Sequence, residues 1–214
     1  MRTIKALACA AALAAGIATS MAQSNVYSLN VVGYYNVTVA ANTYTMIANQ
    51  LNTTNNFLST LIPNGPPFAQ FFKFVNGAWV TSGFDDVDLA WEPTNPSLNP
   101  GEAGLYKSPS AVTLTFVGEV EQGALVNPLP VSQAIARSSM VPQAGKVTTD
   151  LGFPGYPFDQ VFKWTGNSWV ASAFDDVDLI WEPTEPTFGV GEGFLVKKAA
   201  ASTATTWTRN FTVQ

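Results

Sequence analysis

The residues of this chain whose types and spacing could do chemistry occur twice. Phe84 to Thr94 reads FDDVDLAWEPT, and Phe174 to Thr184 reads FDDVDLIWEPT, with Ala90 replaced by Ile180. Asp85, Asp86 and Asp88, copied as Asp175, Asp176 and Asp178, crowd carboxylates into a short segment that Glu92 or Glu182 follows. Calcium takes roughly six to eight oxygen ligands, so such a segment suits a calcium loop, and calcium is the one cofactor the sequence suggests. Two features weigh against it: the glycine spacing of an EF-hand loop is missing, and an extended strand would send Asp85 and Asp86 to opposite faces. The structural alternative has the aspartates end a strand and cap a turn while Phe84, Leu89 and Trp91 enter the core. Repetition does not choose between them, because duplication copies turns and sites alike.

Trp91 and Trp181 stand beside the acidic segment and just before Pro93 and Pro183. Aromatic faces stack on sugars, so these two are the candidate ligand-binding residues of a glycan site. Trp79, Trp164 and Trp169 read more simply as core, since a small domain without disulfides needs large rings to fill it. Glu102 and Glu192 lie in Pro-Gly-Glu-Ala and Val-Gly-Glu-Gly turns, where a carboxylate closes the turn by accepting backbone N–H groups. As a glycosidase acid either would need a second carboxylate nearby, for which Asp88 or Glu92 is the available choice.

No catalytic residue is assigned. The chain has no histidine, which excludes Ser-His-Asp triads and histidine metal sites. The glycine-rich stretches match neither GxGxxG nor GxxxxGK[ST] spacing, which argues against nucleotide binding. The expectation is a protein that is not an enzyme.

The elements that must position these residues come from a repeat. At a shift of 90 residues, Phe72 to Lys107 aligns with Phe162 to Lys197, and 20 of 36 positions are identical. Forward of this, Ala111 to Val120 answers Ala204 to Val213 at a shift of 93; backward, Thr45 to Leu51 resembles Ser138 to Ala144, also at 93. This divides the chain into a signal peptide at 1–22, a first unit at 24–121 and a second at 122–214. Asn76-Gly77 and Gly166-Asn167 each sit between extended runs and suit two-residue hairpin loops. With those loops, Phe72, Phe74 and Trp79 share one face, as do Phe162, Trp164 and Trp169. Further Val-, Thr- and aromatic-rich runs read as strands, and no helical period appears after the signal segment. The predicted fold is all-β: two tandem antiparallel β-sandwich or barrel-like units related by internal duplication. Val117 to Pro130 is too apolar for a loose linker, so the units are expected to pack closely.

The order FKFVNGAWV then NPGEAGLYK, repeated as FKWTGNSWV then GVGEGFLVK, resembles a β-rich repeat of exported bacterial envelope and surface proteins. The second copy fits that pattern, while the first departs from it at Ala103, where the second has Gly193. The resemblance implies a surface or envelope module and carries no catalytic residues with it.

The N-terminal sequence agrees in character. Arg2 and Lys5 precede an apolar run and the small residues Ser20-Met21-Ala22, which reads as a secretory signal cut before Gln23. Cys9, the only cysteine, is read as an apolar signal residue rather than a lipid attachment point, so the exported chain has no disulfide. Removing Arg2 and Lys5 leaves 8 basic residues against 15 acidic, a net charge of −7. That balance disfavours nucleic acid and anionic membrane surfaces as partners. No later stretch has the roughly 20 apolar residues of a membrane-spanning helix. The expected product is an exported protein, periplasmic, cell-surface or extracellular. Its role is structural or protein-interacting, with a glycan-binding module, calcium-assisted or not, as the alternative. Its partner would be a protein or a glycan.

Overall fold

The computed structural model describes residues 31–213 of the chain. The expected signal peptide and Cys9 lie outside the described residues. The protein is all-β, with a single four-residue helical turn among the described residues.

In chain order the first half contains β1 (Val32–Val39), β2 (Tyr44–Ala48), α1 (Leu58–Leu61), β3 (Gln70–Val75), β4 (Ala78–Phe84), β5 (Trp91–Glu92), β6 (Ala103–Lys107) and β7 (Val112–Glu119). The outer strands β1 and β7 form an antiparallel ribbon, and the rest make a five-stranded antiparallel sheet in the order β2-β6-β3-β4-β5. The second half contains β8 (Gly123–Pro128), β9 (Ala134–Arg137), β10 (Gly145–Lys146), β11 (Gln160–Trp164), β12 (Trp169–Phe174), β13 (Trp181–Glu182), β14 (Thr187–Phe188), β15 (Phe194–Lys197) and β16 (Thr206–Phe211). Here β8 and β16 form the ribbon, β10 pairs with β14, and the five-stranded sheet runs β9-β15-β11-β12-β13. The two larger sheets thus share one strand order. No sheet closes into a barrel, so the sandwich-like alternative is the one that holds.

Both hairpins form as the turn chemistry requires. Asn76 and Gly77 take φ of 51° and 84°, and the turn sets Phe74 opposite Trp79 and Phe72 opposite Thr81. In the second hairpin only Gly166 is left-handed, at 94°, and Trp164 faces Trp169. Glycine leads that second turn because its first central position alone needs a positive φ.

One register differs from the sequence reading. Tyr44 pairs with Lys107 and Ala134 pairs with Lys197, so β9 answers β2 at a shift of 90 rather than 93. The shared glutamine of TMIANQL and SSMVPQA suggested the gap, whereas the ladder is set by which face each residue must bury. The later shift of 93 stands, since Leu114 and Trp207 face Val37 and Asn127.

The halves meet along contacts that come in pairs 90 residues apart. Ala48 N–H donates to the Gly191 carbonyl and Ser138 N–H to the Gly101 carbonyl, both at 2.9 Å. Ile47 bridges to Glu192 and Arg137 to Glu102. Trp79 and Trp169 stack on each other at 6.4 Å, with planes 16° apart. This self-complementary pattern is that of an isologous interface, here built within one chain. Met46, Ala48, Ala103, Leu105 and Ala136 form its buried centre, with Phe72, Phe74, Trp79, Trp164 and Trp169 packed around them. The predicted aromatic faces of the hairpins are therefore used to join the halves. The larger core of the first half also takes in Leu125 and Val141 from the second, and only residues 120–122 separate β7 from β8.

Candidate functional site

The acidic segments form closed turns at the end of β4 and β12. Asp85 N–H donates to the Ala90 carbonyl at 2.8 Å, and its Oδ1 accepts the N–H groups of Val87 and Asp88, each at 2.8 Å. Asp175 repeats this with Ile180, Val177 and Asp178 at 2.8, 2.8 and 2.7 Å. These backbone donors favour the ionised carboxylate and hold Asp85 and Asp175 below the ordinary aspartate range. One aspartate in each segment thus shapes the turn.

The calcium reading of Asp85, Asp86, Asp88, Asp175, Asp176 and Asp178 is not supported by this geometry. Among the described residues no three acidic, cysteine or histidine side chains come together in a way that could hold a metal ion. Asp85 Oδ1 and Asp175 Oδ1 are taken up by backbone N–H groups of their own turns.

Trp91 and Trp181 correct a second expectation. Each is only 4% exposed, so neither ring can stack on a sugar. Pairing of Phe84 with Trp91 and of Phe174 with Trp181 places these tryptophans on the inward side of the sheet edge. The Trp91 ring meets Phe84 and Tyr106 and its Nε1 donates to the Ile62 carbonyl at 3.2 Å. Trp181 meets Phe153 and Phe174 and donates to Thr148 Oγ1 at 2.8 Å. An indole satisfied at its N–H and packed on its faces is core.

Glu102 and Glu192 close their turns as expected. Glu102 Oε2 accepts Asn99 N–H and Glu192 Oε2 accepts Gly189 N–H, both at 2.8 Å. Each also pairs with a lysine on the adjacent strand of its own sheet, Lys73 at 3.1 Å and Lys163 at 3.2 Å. Beside them, at the junction of the halves, lie two small clefts. One, of about 280 Å³, is lined by Tyr44, Trp164, Gly166 and Glu192 among others; the second, of about 220 Å³, is lined by Phe74, Asn76, Glu102 and Arg137. Their aromatic, turn and glutamate positions correspond at the 90-residue shift. Arg137 is buried here, which pulls its guanidinium below the usual arginine range, while the Glu102 charge opposes the shift.

No family model, no curated protein and no solved structure matches the chain.

Sequence reasoning missed several strongly exposed apolar residues and placed Leu89 in the core, where the structure leaves it 64% exposed. Val87 and Val177 are 81% and 80% exposed, and Phe68 and Phe158 are 68% and 67% exposed. Phe68, Leu89, Phe158 and Leu179 all have left-handed backbone, with φ of 64°, 51°, 68° and 58°. The N–H groups of Phe68 and Phe158 bond to the carbonyls of Phe84 and Phe174, which brings each phenylalanine turn alongside the start of an acidic segment. A groove of about 440 Å³ runs there in the first half, lined by Phe68, Gln70, Asp85, Glu92 and Pro93 among others. The sequence held a signal for this in the valine and leucine interleaved with aspartate, which turn formation alone does not call for.

A second omission is Asp159 with Lys198, an ion pair whose side chains are both fully buried. The first half has Ala69 and Ser108 at those places, so opposite charges present in one copy only were the legible sign.

Proposed function

We propose that this chain is an exported, non-enzymatic β protein that acts as a structural or protein-interaction element of the envelope or extracellular space. The observation that carries the reading is the pair of exposed, apolar and acidic turn tips, at matching positions of the two halves. A bulky side chain in left-handed backbone costs about 1–2 kcal/mol, and at Phe68, Leu89, Phe158 and Leu179 the side chain faces solvent and returns little to the core. Contiguous exposed apolar residues with charges beside them are the usual make-up of a protein-contact surface. Two such surfaces on one body raise avidity for a repeated partner whose sites match their separation. The carboxylates of Asp86 and Asp88 and their counterparts select a partner with apolar and basic character.

A photo-crosslinking side chain placed at Val87 or Val177 in producing cells tests the reading. Discrete adducts of one size from both positions, and none from Tyr34 on the outer face of β1, are the expected result. A chain that stays inside the cytoplasm, or that gives no adduct from either loop, refutes it. The glycan-binding alternative moves to the cleft lined by Tyr44 and Trp164, and a glycan array comparing the parent with Trp164→Phe addresses it.

A further inference from the structure

Asp159 and Lys198 are placed by neighbouring strands. Asp159 immediately precedes β11, Lys198 immediately follows β15, and Gln160 pairs with Lys197 between them. The lysine Nζ touches Asp159 Oδ2, donates to the Pro154 carbonyl at 2.8 Å and lies 5.2 Å from the centre of the Phe153 ring. The carboxylate is held equally firmly: Oδ1 accepts Ala199 N–H at 2.8 Å and Oδ2 accepts Tyr156 N–H at 2.9 Å. The backbone frame is common to both halves, since Phe84 N–H bonds to the Ala69 carbonyl as Phe174 N–H bonds to that of Asp159, each at 2.8 Å. Only the second half carries the two charged side chains.

We propose that Lys198 and Asp159 condense into an intramolecular amide, a covalent cross-link between β11 and β15. Burial lowers the lysine below its ordinary range and so favours the uncharged amine that the reaction requires. The uncharged pair differs from the ion pair by the shift of one proton along their contact. The Nζ lone pair adds to Asp159 Cγ, and the charge that develops on Oδ1 meets the Ala199 N–H already aimed at it. Nζ then yields a proton to Oδ2, which carries the carboxyl proton and departs as water. A C–N bond forms, a C–O bond breaks, nothing is oxidised or reduced, and no co-reactant enters. Lys198 also contributes to the lining of a cleft of about 510 Å³, with Phe158 and Ala199 to Ala201 among others, toward which the released water would leave. Fixed orientation of the two groups supplies the proximity that makes amide formation accessible without an activated acyl donor. The product closes a loop of 39 residues and constrains the unfolded chain as a disulfide would, in a protein whose only cysteine is Cys9.

Peptide mapping of the purified full chain by tandem mass spectrometry tests this directly. The expected result is one linked species joining the peptides of Asp159 and Lys198, lighter by one water than their sum. Lys198→Arg, which keeps the charge, and Asp159→Ala should each abolish the linked species, and circular dichroism reports whether each variant still folds. Recovery of both peptides separately and unmodified from the folded parent chain overturns the proposal and leaves a plain ion pair. So does a link through Lys197 instead of Lys198. Because the decisive reading is taken on the parent chain, a variant that fails to fold does not obscure the answer.

Discussion

Position 193 offers a sharp test of how the halves meet. A methyl group built on Gly193 would overlap Cβ of Ala103 and approach the Arg137 carbonyl oxygen to 3.2 Å. Neither neighbour is the end of a flexible side chain, so the strain must go into the two sheets. Overpacking of this kind costs about 1–3 kcal/mol. Replacing glycine by alanine returns about 0.4–1 kcal/mol through the unfolded chain, where the backbone is accommodating. Gly193→Ala should therefore lose about 1–2 kcal/mol, which for a domain of this size lowers the melting temperature by roughly 2–8 °C. Ala103→Gly alone gives up a buried methyl and adds backbone entropy, a loss of about 1–2 kcal/mol. The exchange Ala103→Gly with Gly193→Ala restores one methyl between the halves and should lie within about 1 kcal/mol of the parent. Urea unfolding of the four proteins, followed by tryptophan fluorescence, measures the cycle. Additive losses in the double variant, or a Gly193→Ala protein as stable as the parent, would refute the packing argument.

Four further outcomes follow from the same structure. Asp85 and Asp175 titrate lower in the folded chain than in the unfolded one, so the stability they contribute is present above the unfolded value near 4 and is lost as pH falls through the folded value. Thermal melts between pH 5 and about 2 should show a shallower acid decline for Asp85→Asn with Asp175→Asn than for the parent. Trp91→Ala should cost about 3–5 kcal/mol in chemical denaturation, as deletion of a packed core ring does, and the parent's buried indoles should resist acrylamide quenching. Lys198→Ser alone leaves the Asp159 carboxylate buried without a partner, which should cost about 3–5 kcal/mol in addition to the lost cross-link. The double change Asp159→Ala with Lys198→Ser, which installs the first half's residues, should cost less, as urea melts of both will show. Residues 31–121 expressed alone should lack a cooperative thermal transition, because that piece loses Leu125 and Val141 from its core and uncovers Trp79.

Much of this architecture is legible in the chain, for reasons that can be named. The hairpins are written locally, in Asn76-Gly77 and in Gly166 between aromatic runs, so both registers follow from turn type alone. The face shared by Phe72, Phe74 and Trp79 follows from the strand period, but what that face meets does not, because it packs on residues 90 positions away. The same limit explains Trp91. Proximity to aspartates and prolines in sequence suggested exposure, whereas its partners Ile62 and Tyr106 reach it only through the fold. The turn role of Asp85 was legible because its bonds reach only two and three residues ahead. The two-residue strands β5, β10, β13 and β14 fall below any periodic signal, and tertiary pairing alone makes them strands.

The places where the two halves differ are as informative as those where they agree. A self-complementary interface brings equivalent residues face to face, and at its centre the contact of position 103 with position 193 has room for one methyl group. Two alanines there would collide and two glycines would leave a gap, so the packing itself requires positions 103 and 193 to differ. That accounts for Ala103 standing where the counterpart segment has Gly193. Asp159 and Lys198 need a different explanation, since they lie away from that contact and the first half completes the same backbone frame with Ala69 and Ser108. A fold that closes with alanine and serine has no structural need of a buried charge pair, and burying one carries a desolvation penalty of several kcal/mol per ion. The second half keeps the pair nonetheless, with every oxygen of Asp159 bonded and the amine held against it, which is the arrangement expected of two groups positioned to react.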